Sequence, residues 1–212
     1  MYEFDDLPLS PVEPATNLLV AGDAMSGARE LFLRTVAPTA GDDEATVLVT
    51  TGSNAEKLYD ELERAAGAVD RRQVGVVDAV SQQQGVEEAT DRVRLVSSPR
   101  DLTGIGMELT DLYESFHGGG AEHVRTGLDS VSTLLMYADL ETVFRFLHVF
   151  SGRVATADGL GVYVIDPSSH DQQTTQTLSQ LFDGRVEVRE EGAERQLRVR
   201  GLADQPREWT AF

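Results

Sequence analysis

Short apolar runs alternate with longer amphipathic stretches along almost the whole chain. The runs at 17–21 (NLLVA), 45–50 (ATVLVT), 74–78 (VGVVD), 124–129 (VRTGLD) and 161–166 (GVYVID) are largely continuous, as strands covered on both faces are. A shorter extended piece is expected at 93–96. Between them the apolar spacing turns helical: one helix runs to about residue 36, and others are expected at 55–66, 102–116, 140–150 and 174–182. Leu58 and Leu62 share a face of the second, and Gly118-Gly119-Gly120 ends the third. Residues 185–189 and 197–200 read as an antiparallel hairpin around 190–194. Strand–helix alternation of this kind predicts an α/β fold with a mostly parallel sheet flanked by crossover helices. Residues 1–14 hold three of the seven prolines and no periodicity, so they read as an N-terminal arm laid on a single domain, 15–212.

Charge changes the picture. Thirty-six of the 212 residues are acids and 18 are bases, a formal charge of −18, and Lys57 is the single lysine. The acids are spread along the chain (Glu3, Asp5, Asp6, Asp42, Asp43, Glu44, Glu87, Glu88, Glu190, Glu191). A plain solvated surface explains this pattern; a salt-rich, halophilic cytoplasm explains it more sharply. At about 1 M salt the Debye length is about 3 Å, so such a surface repels itself weakly yet stays hydrated. The same field makes direct nucleic-acid binding unfavourable. No apolar run reaches the roughly 20 residues of a membrane span, and the acidic start is not a signal pattern, so a cytoplasmic protein is expected. Without cysteine, and with no two of His117, His123, His148 and His170 at i, i+4 spacing, no metal site is expected.

The candidate chemistry begins after the first run. Gly22-Asp23-Ala24-Met25-Ser26-Gly27-Ala28-Arg29 has the frame of a Walker A loop, G-x-x-x-x-G-K-[ST], between an apolar strand and a helix. In a working loop, backbone N–H groups and the helix dipole hold phosphates, lysine reaches the β- and γ-phosphates, and the hydroxyl ligates Mg²⁺. Here Ala28 stands at the lysine position. Arg29 stands at the hydroxyl position, and a guanidinium has donors only. A plain βα turn fits the same letters.

Asp129, at the end of the 124–129 run, is the second candidate, either as a Walker B carboxylate that orients Mg²⁺ or its waters, or as the cap of the next turn or helix. Asp166-Pro167-Ser168-Ser169-His170-Asp171 ends another strand. Ser168 or His170 could contact a γ-phosphate or a neighbouring subunit, although an Asp-Pro turn and a capped helix explain the segment more simply. No Gly-x-Ser-x-Gly elbow occurs, which argues against hydrolase chemistry at His170–Asp171.

The loop GDAMSGARE, the stretch RLVSSPRDLTGIGMELTDL and the run from VRTGLDSVSTLL to DGRVEVRE resemble a haloarchaeal group of RecA-superfamily ATPase-like proteins, relatives of KaiC and of RadA-type recombinase domains. The resemblance covers about residues 16–212. LDSVSTLL is similar to the Walker B strand of KaiC-like proteins, and the run 137–149 matches the narrower group most distinctively. It implies a RecA-like P-loop NTPase fold with a C-terminal β-hairpin, Gly22–Gly27 as phosphate loop and Asp129 as the Walker B acid. It also implies Gly-Lys-Arg in the group where this chain has Gly27-Ala28-Arg29, so the alanine is the departure. KaiC-like enzymes carry paired glutamates after the second core strand. Here Gly52 and Ser53, or their neighbours, align with that pair, and Thr50–Asn54 holds no acid.

Loss of one phosphate-stabilising charge costs about 10²–10³ in rate, and loss of the water-activating carboxylate about 10²–10⁴. The sequence therefore predicts a non-catalytic or weakly nucleotide-binding RecA/KaiC-like module acting in protein–protein assembly or signalling, with ATP or ADP and Mg held weakly or not at all. Two other readings stay open: an ATP-driven switch in which Arg29 or a neighbouring subunit replaces the lysine, and a recombinase accessory protein. Protein partners, including further copies of the chain, are expected.

Overall fold

The computed structural model describes residues 1–4, 6–39, 41, 43–86 and 89–212. The acids Asp5, Asp42, Glu87 and Glu88 lie outside the described residues. Strands β1 (Asn17–Ala21), β2 (Glu44–Thr50), β3 (Val74–Asp78), β4 (Val93–Leu95), β5 (His123–Leu128), β6 (Leu160–Ile165), β7 (Gly184–Glu191), β8 (Glu194–Arg200) and β9 (Thr210–Ala211) form one sheet. Its order is β4-β3-β2-β5-β6-β1-β7-β8-β9. The strands from β4 to β7 pair in parallel, while β8 and β9 are antiparallel additions. The helices are α1 (Ala28–Val36), α2 (Ala55–Ala66), α3 (Leu102–Gly118), α4 (Val131–Tyr137), α5 (Leu140–Thr156) and α6 (Gln172–Ser179). None of the described helices is long and apolar enough to cross a membrane.

Alternating strand side chains feed two cores. Leu18, Val20, Leu48, Val76 and Val162 pack against α1 and α2, and Leu19, Val47, Val49, Val77 and Tyr163 against α3, α4, α5 and α6. The expected mostly parallel sheet, flanking helices and C-terminal hairpin are all present. Four local expectations change. Ser130 accepts from the Thr133 amide at 3.0 Å and caps α4, a helix whose short apolar run had no separate signal. Helix α5 continues past Phe150 because Val154 is buried in the second core, so Gly152 does not end it. Residues Ser81–Gln84, given no element by the sequence pattern, form a 3₁₀ turn, and β9 adds a short final strand.

Residues 1–4 and 6–16 fold back onto the first core. Tyr2 and Val12 exchange backbone hydrogen bonds of 2.9 and 3.0 Å, and Tyr2, Phe4, Leu7 and Val12 are buried. The anchor is Arg125 on β5, a fully buried arginine. It donates to the Thr35 carbonyl at the end of α1 (3.0 Å), to the Glu3 carbonyl (2.9 Å) and to the Glu44 carboxylate (3.3 Å), beneath the rings of Tyr2 and Phe4. Burial works to raise the Glu44 carboxyl, but Arg125 and the Thr39 amide hold it below its ordinary value. Burial pushes the Tyr2 hydroxyl up to about 12.

Arg125→Met should cost about 3 kcal/mol, because it leaves Glu44 buried without a counter-charge; urea unfolding measures it. The depressed Glu44 carboxyl contributes stability that is full above its unfolded pKa and lost as pH falls through its lowered folded value. Acidification should therefore lower the melting temperature less steeply in Glu44→Gln than in the native chain.

Candidate functional site

The carboxyl ends of β2, β5, β6 and β1 meet at one rim of the sheet, where the chain's crossovers change direction, the usual ligand position in open α/β sheets. Residues 22–27 connect β1 to α1 there. The Gly22 amide donates to the Ile165 carbonyl of neighbouring β6 at 3.2 Å, which seats the loop on the rim. Gly27 takes φ +91° at the start of α1, a conformation that L side chains rarely adopt. A side chain there would also strike the Arg195 stem, whose Cδ lies 2.6 Å from the position of an added Cβ.

Inside the loop, Ser26 uses the groups that an anion would need. Its amide and hydroxyl donate to the Asp23 carbonyl at 2.9 and 2.7 Å, and its hydroxyl accepts from the Ala28 amide at 3.4 Å. That hydroxyl sits so close over Gly22 that a Cβ there would lie 2.4 Å from it. Ala28 is buried with the first core, while Met25 stands at the loop apex, 87% exposed.

Arg29 leaves the first turn of α1 and crosses the rim. Its guanidinium pairs with Glu61 of α2 at 2.7 Å and with Asp129 at 3.5 Å. Glu61 also faces Lys57 at 3.9 Å, so one carboxylate is shared by two cations. The Asp129 side chain is almost wholly buried. One oxygen accepts from the Thr51 amide (2.9 Å) and hydroxyl (2.8 Å); the other lies 2.9 Å from the Thr50 hydroxyl, whose one proton is shared with the Ser53 carbonyl at 2.6 Å, and 3.5 Å from the Arg29 guanidinium. A carboxylate offers about four lone-pair sites; Thr51 takes two of them, and the Thr50 hydroxyl and the Arg29 charge face the other oxygen. Ser130, not Asp129, caps α4, so the capping alternative for Asp129 does not hold.

The other expected groups sort differently. Asp166 accepts from the Ser168 amide and hydroxyl (2.9 and 2.6 Å), and Asp171 caps α6 through the Thr174 amide at 2.7 Å. These are the turn and capped helix that explain the segment most simply. Burial works to raise the Asp166 carboxyl, but hydrogen bonds from Ser168 and Ser169 hold it below its ordinary value. His170 bonds the Ser132 hydroxyl at 2.9 Å rather than any group of the 22–27 loop.

The structure thus brings together Asp23, Ser26, Arg29 and Asp129 on one rim and adds residues that sequence reasoning passed over. Thr50 and Thr51 occupy the segment read as lacking an acid. Glu61 lies 32 positions from Arg29, with no local signal of the pairing. Arg195 of β8 covers Gly27 and forms an ion pair with Glu30, which brings a second cation to the start of α1. Among the described residues, no group of three or more histidines and acids is placed to hold a metal ion.

Because Thr51 donates twice to the buried Asp129 carboxylate, Asp129→Asn should lower stability by about 2 kcal/mol, through loss of the charge beside Arg29 and an amide nitrogen that faces donors. Urea unfolding checks it; a gain in stability would mean the carboxylate is held there under strain.

Residues 15–188 match the model of DUF7504, a family of unknown function, and the chain belongs to that family. No curated protein matches it. Among solved structures, the chain is similar to a KaiC-like protein from the hyperthermophilic archaeon Pyrococcus horikoshii OT3. The TM-score is 0.62 at 12% identity, covering 93% of this chain and 84% of the other. At that identity the likeness establishes a RecA/KaiC-like fold and nothing finer.

Proposed function

We propose that this chain is a RecA/KaiC-like module that does not turn over nucleotide and acts through protein–protein assembly or signalling. One observation carries the reading. The Arg29 guanidinium lies between Asp129 and Glu61, and Arg29 and Asp129 themselves stand at the two positions that would share Mg²⁺ in a working loop. With Thr50, Thr51 and a resident cation around the Asp129 carboxylate, a metal ion would have to compete with protein donors and sit beside a positive charge. Supporting it, Ala28 supplies no phosphate-reaching cation, the Ser26 hydroxyl fills the loop, and Thr50–Asn54 offers no general base. ATP or ADP with Mg is therefore held weakly or not at all. A charge of −18 with a single lysine supports a salt-rich cytoplasm as the setting.

Arg195 favours a second reading, a nucleotide switch in which arginines replace the lysine and the metal. It reaches the loop from the C-terminal hairpin of the same chain, rather than from a neighbouring subunit.

The test is equilibrium binding of Mg-ATP in molar KCl, with phosphate release followed alongside, for the native chain and for Ala28→Lys/Arg29→Thr. The expected result is turnover at background in both, with binding at least about tenfold tighter in the double variant, as one added phosphate contact warrants. Turnover above background in the native chain would overturn the proposal. Binding that survives EDTA and is lost in Arg195→Ala would establish the second reading in its place.

A further inference from the structure

The second core leaves one outer face that the nucleotide rim does not explain. Helices α3 and α5 lie over the same side of the sheet, and between them run two adjoining hollows of about 590 and 370 Å³. Seven large apolar residues are exposed among the described residues, and four of them belong to α3, α4 and α5: Met107 (63%), Met136 (81%), Tyr137 (44%) and Val149 (54%). The other three are scattered, so this is a concentration and not background.

The charges on this face are unusual for so acidic a chain. No acid lines either hollow, and their charged groups are Arg145 and Arg153. Neither arginine makes an ion pair with a described residue. The Arg153 guanidinium spans the hollow through one nitrogen, donating to the Gly106 carbonyl at 2.8 Å and the Thr110 hydroxyl at 2.9 Å. Beside this groove, at the α4–α5 junction, the exposed Met136 and Tyr137 are followed by Asp139 and Glu141. The start of α5 is therefore apolar with carboxylates, and its middle is apolar with arginines, of which Arg145 also attracts Asp139 of the same chain.

We propose that this face is a homodimer interface, in which the 136–141 junction of each copy seats in the α3–α5 groove of the other. A two-fold contact needs both halves of a complementary pair on one patch, and this patch carries them. Two 17-residue helices of roughly 25 Å length, side by side, offer roughly 500 Å² per copy, which reaches the lower bound for a specific interface. The exposed Val149 and Met107 form its apolar centre, and Arg145 and Arg153 meet the incoming carboxylates. Net charge opposes the contact at low salt, so association strengthens as salt screens the long-range repulsion. The proposal deepens the assembly reading and rests on it for its biological role.

Sedimentation equilibrium of the full chain in molar KCl tests it, with circular dichroism melts to confirm that each variant folds. The native chain should be dimeric, and Val149→Glu, at an exposed position, should weaken the dimer by at least about tenfold. Glu141→Arg alone and Arg145→Glu/Arg153→Glu alone should each be monomeric, because each sets like charges against one another. Their mixture should form a heterodimer, in which both contacts again pair opposite charges; Asp139 is left intact because it caps α5. A native chain that stays monomeric, or a dimer indifferent to Val149→Glu whose charge-reversed halves fail to combine, would overturn the proposal. Loss of this dimer leaves the non-catalytic reading standing, whereas Mg-ATP turnover removes that reading and leaves the dimer untouched.

Discussion

The arrangement at the rim turns on the contact between the Arg29 guanidinium and the Asp129 carboxylate, 3.5 Å apart at the carboxyl end of β5. A buried carboxylate needs donors or a counter-charge, and the fold supplies both. Thr50 and Thr51 close the end of β2 over Asp129, Arg29 brings the charge from α1, and Glu61 of α2 neutralises what remains of the guanidinium. The ends of β2 and β5 and the helices α1 and α2 are tied by one polar cluster. The chemistry that the rim could perform follows from that arrangement: a carboxylate already faced by hydroxyl donors and a resident cation has little to offer a metal.

The opposite end of the same strand shows the same economy used for structure. Arg125 is four positions before Asp129, is fully buried, and gathers the arm, the end of α1 and Glu44. One strand thus carries an ion pair at each end, buried at Arg125–Glu44 and half-exposed on its arginine side at Arg29–Asp129. One pair fixes the N-terminal arm to the first core, and the other fixes α1 and α2 across the rim. Buried pairs of this kind give little net stability but penalise every arrangement that separates the partners, which suits a sheet of nine described strands that must hold a single register.

Much of this was legible in the residues. Strands such as Val74–Asp78 and helices such as Ala55–Ala66 follow from continuous apolar runs and from the Leu58/Leu62 spacing, because local pattern and tertiary burial agree there. Helix α4 was not legible as a separate element, since SVSTLLMY is short and comes directly after a strand; its cap, Ser130, is visible only once the Thr133 amide is seen to point at it. The frame of the 22–27 loop and the missing lysine were readable from spacing. The filling of that loop by Ser26 was not, because a serine in a turn has several local partners and only geometry selects one. The Arg29–Glu61 and Arg195–Glu30 pairs join residues far apart in the chain, and no periodicity reports such contacts.

The most direct measurement is a crystal structure of the native chain grown or soaked in high Mg-ATP. The account predicts that Arg29 remains between Asp129 and Glu61, with the Ser26 hydroxyl still inside the loop and no metal at Asp129. Phosphates cradled by the amides of residues 23–28, with Mg²⁺ held at Asp129 and Arg29 swung away, would contradict it.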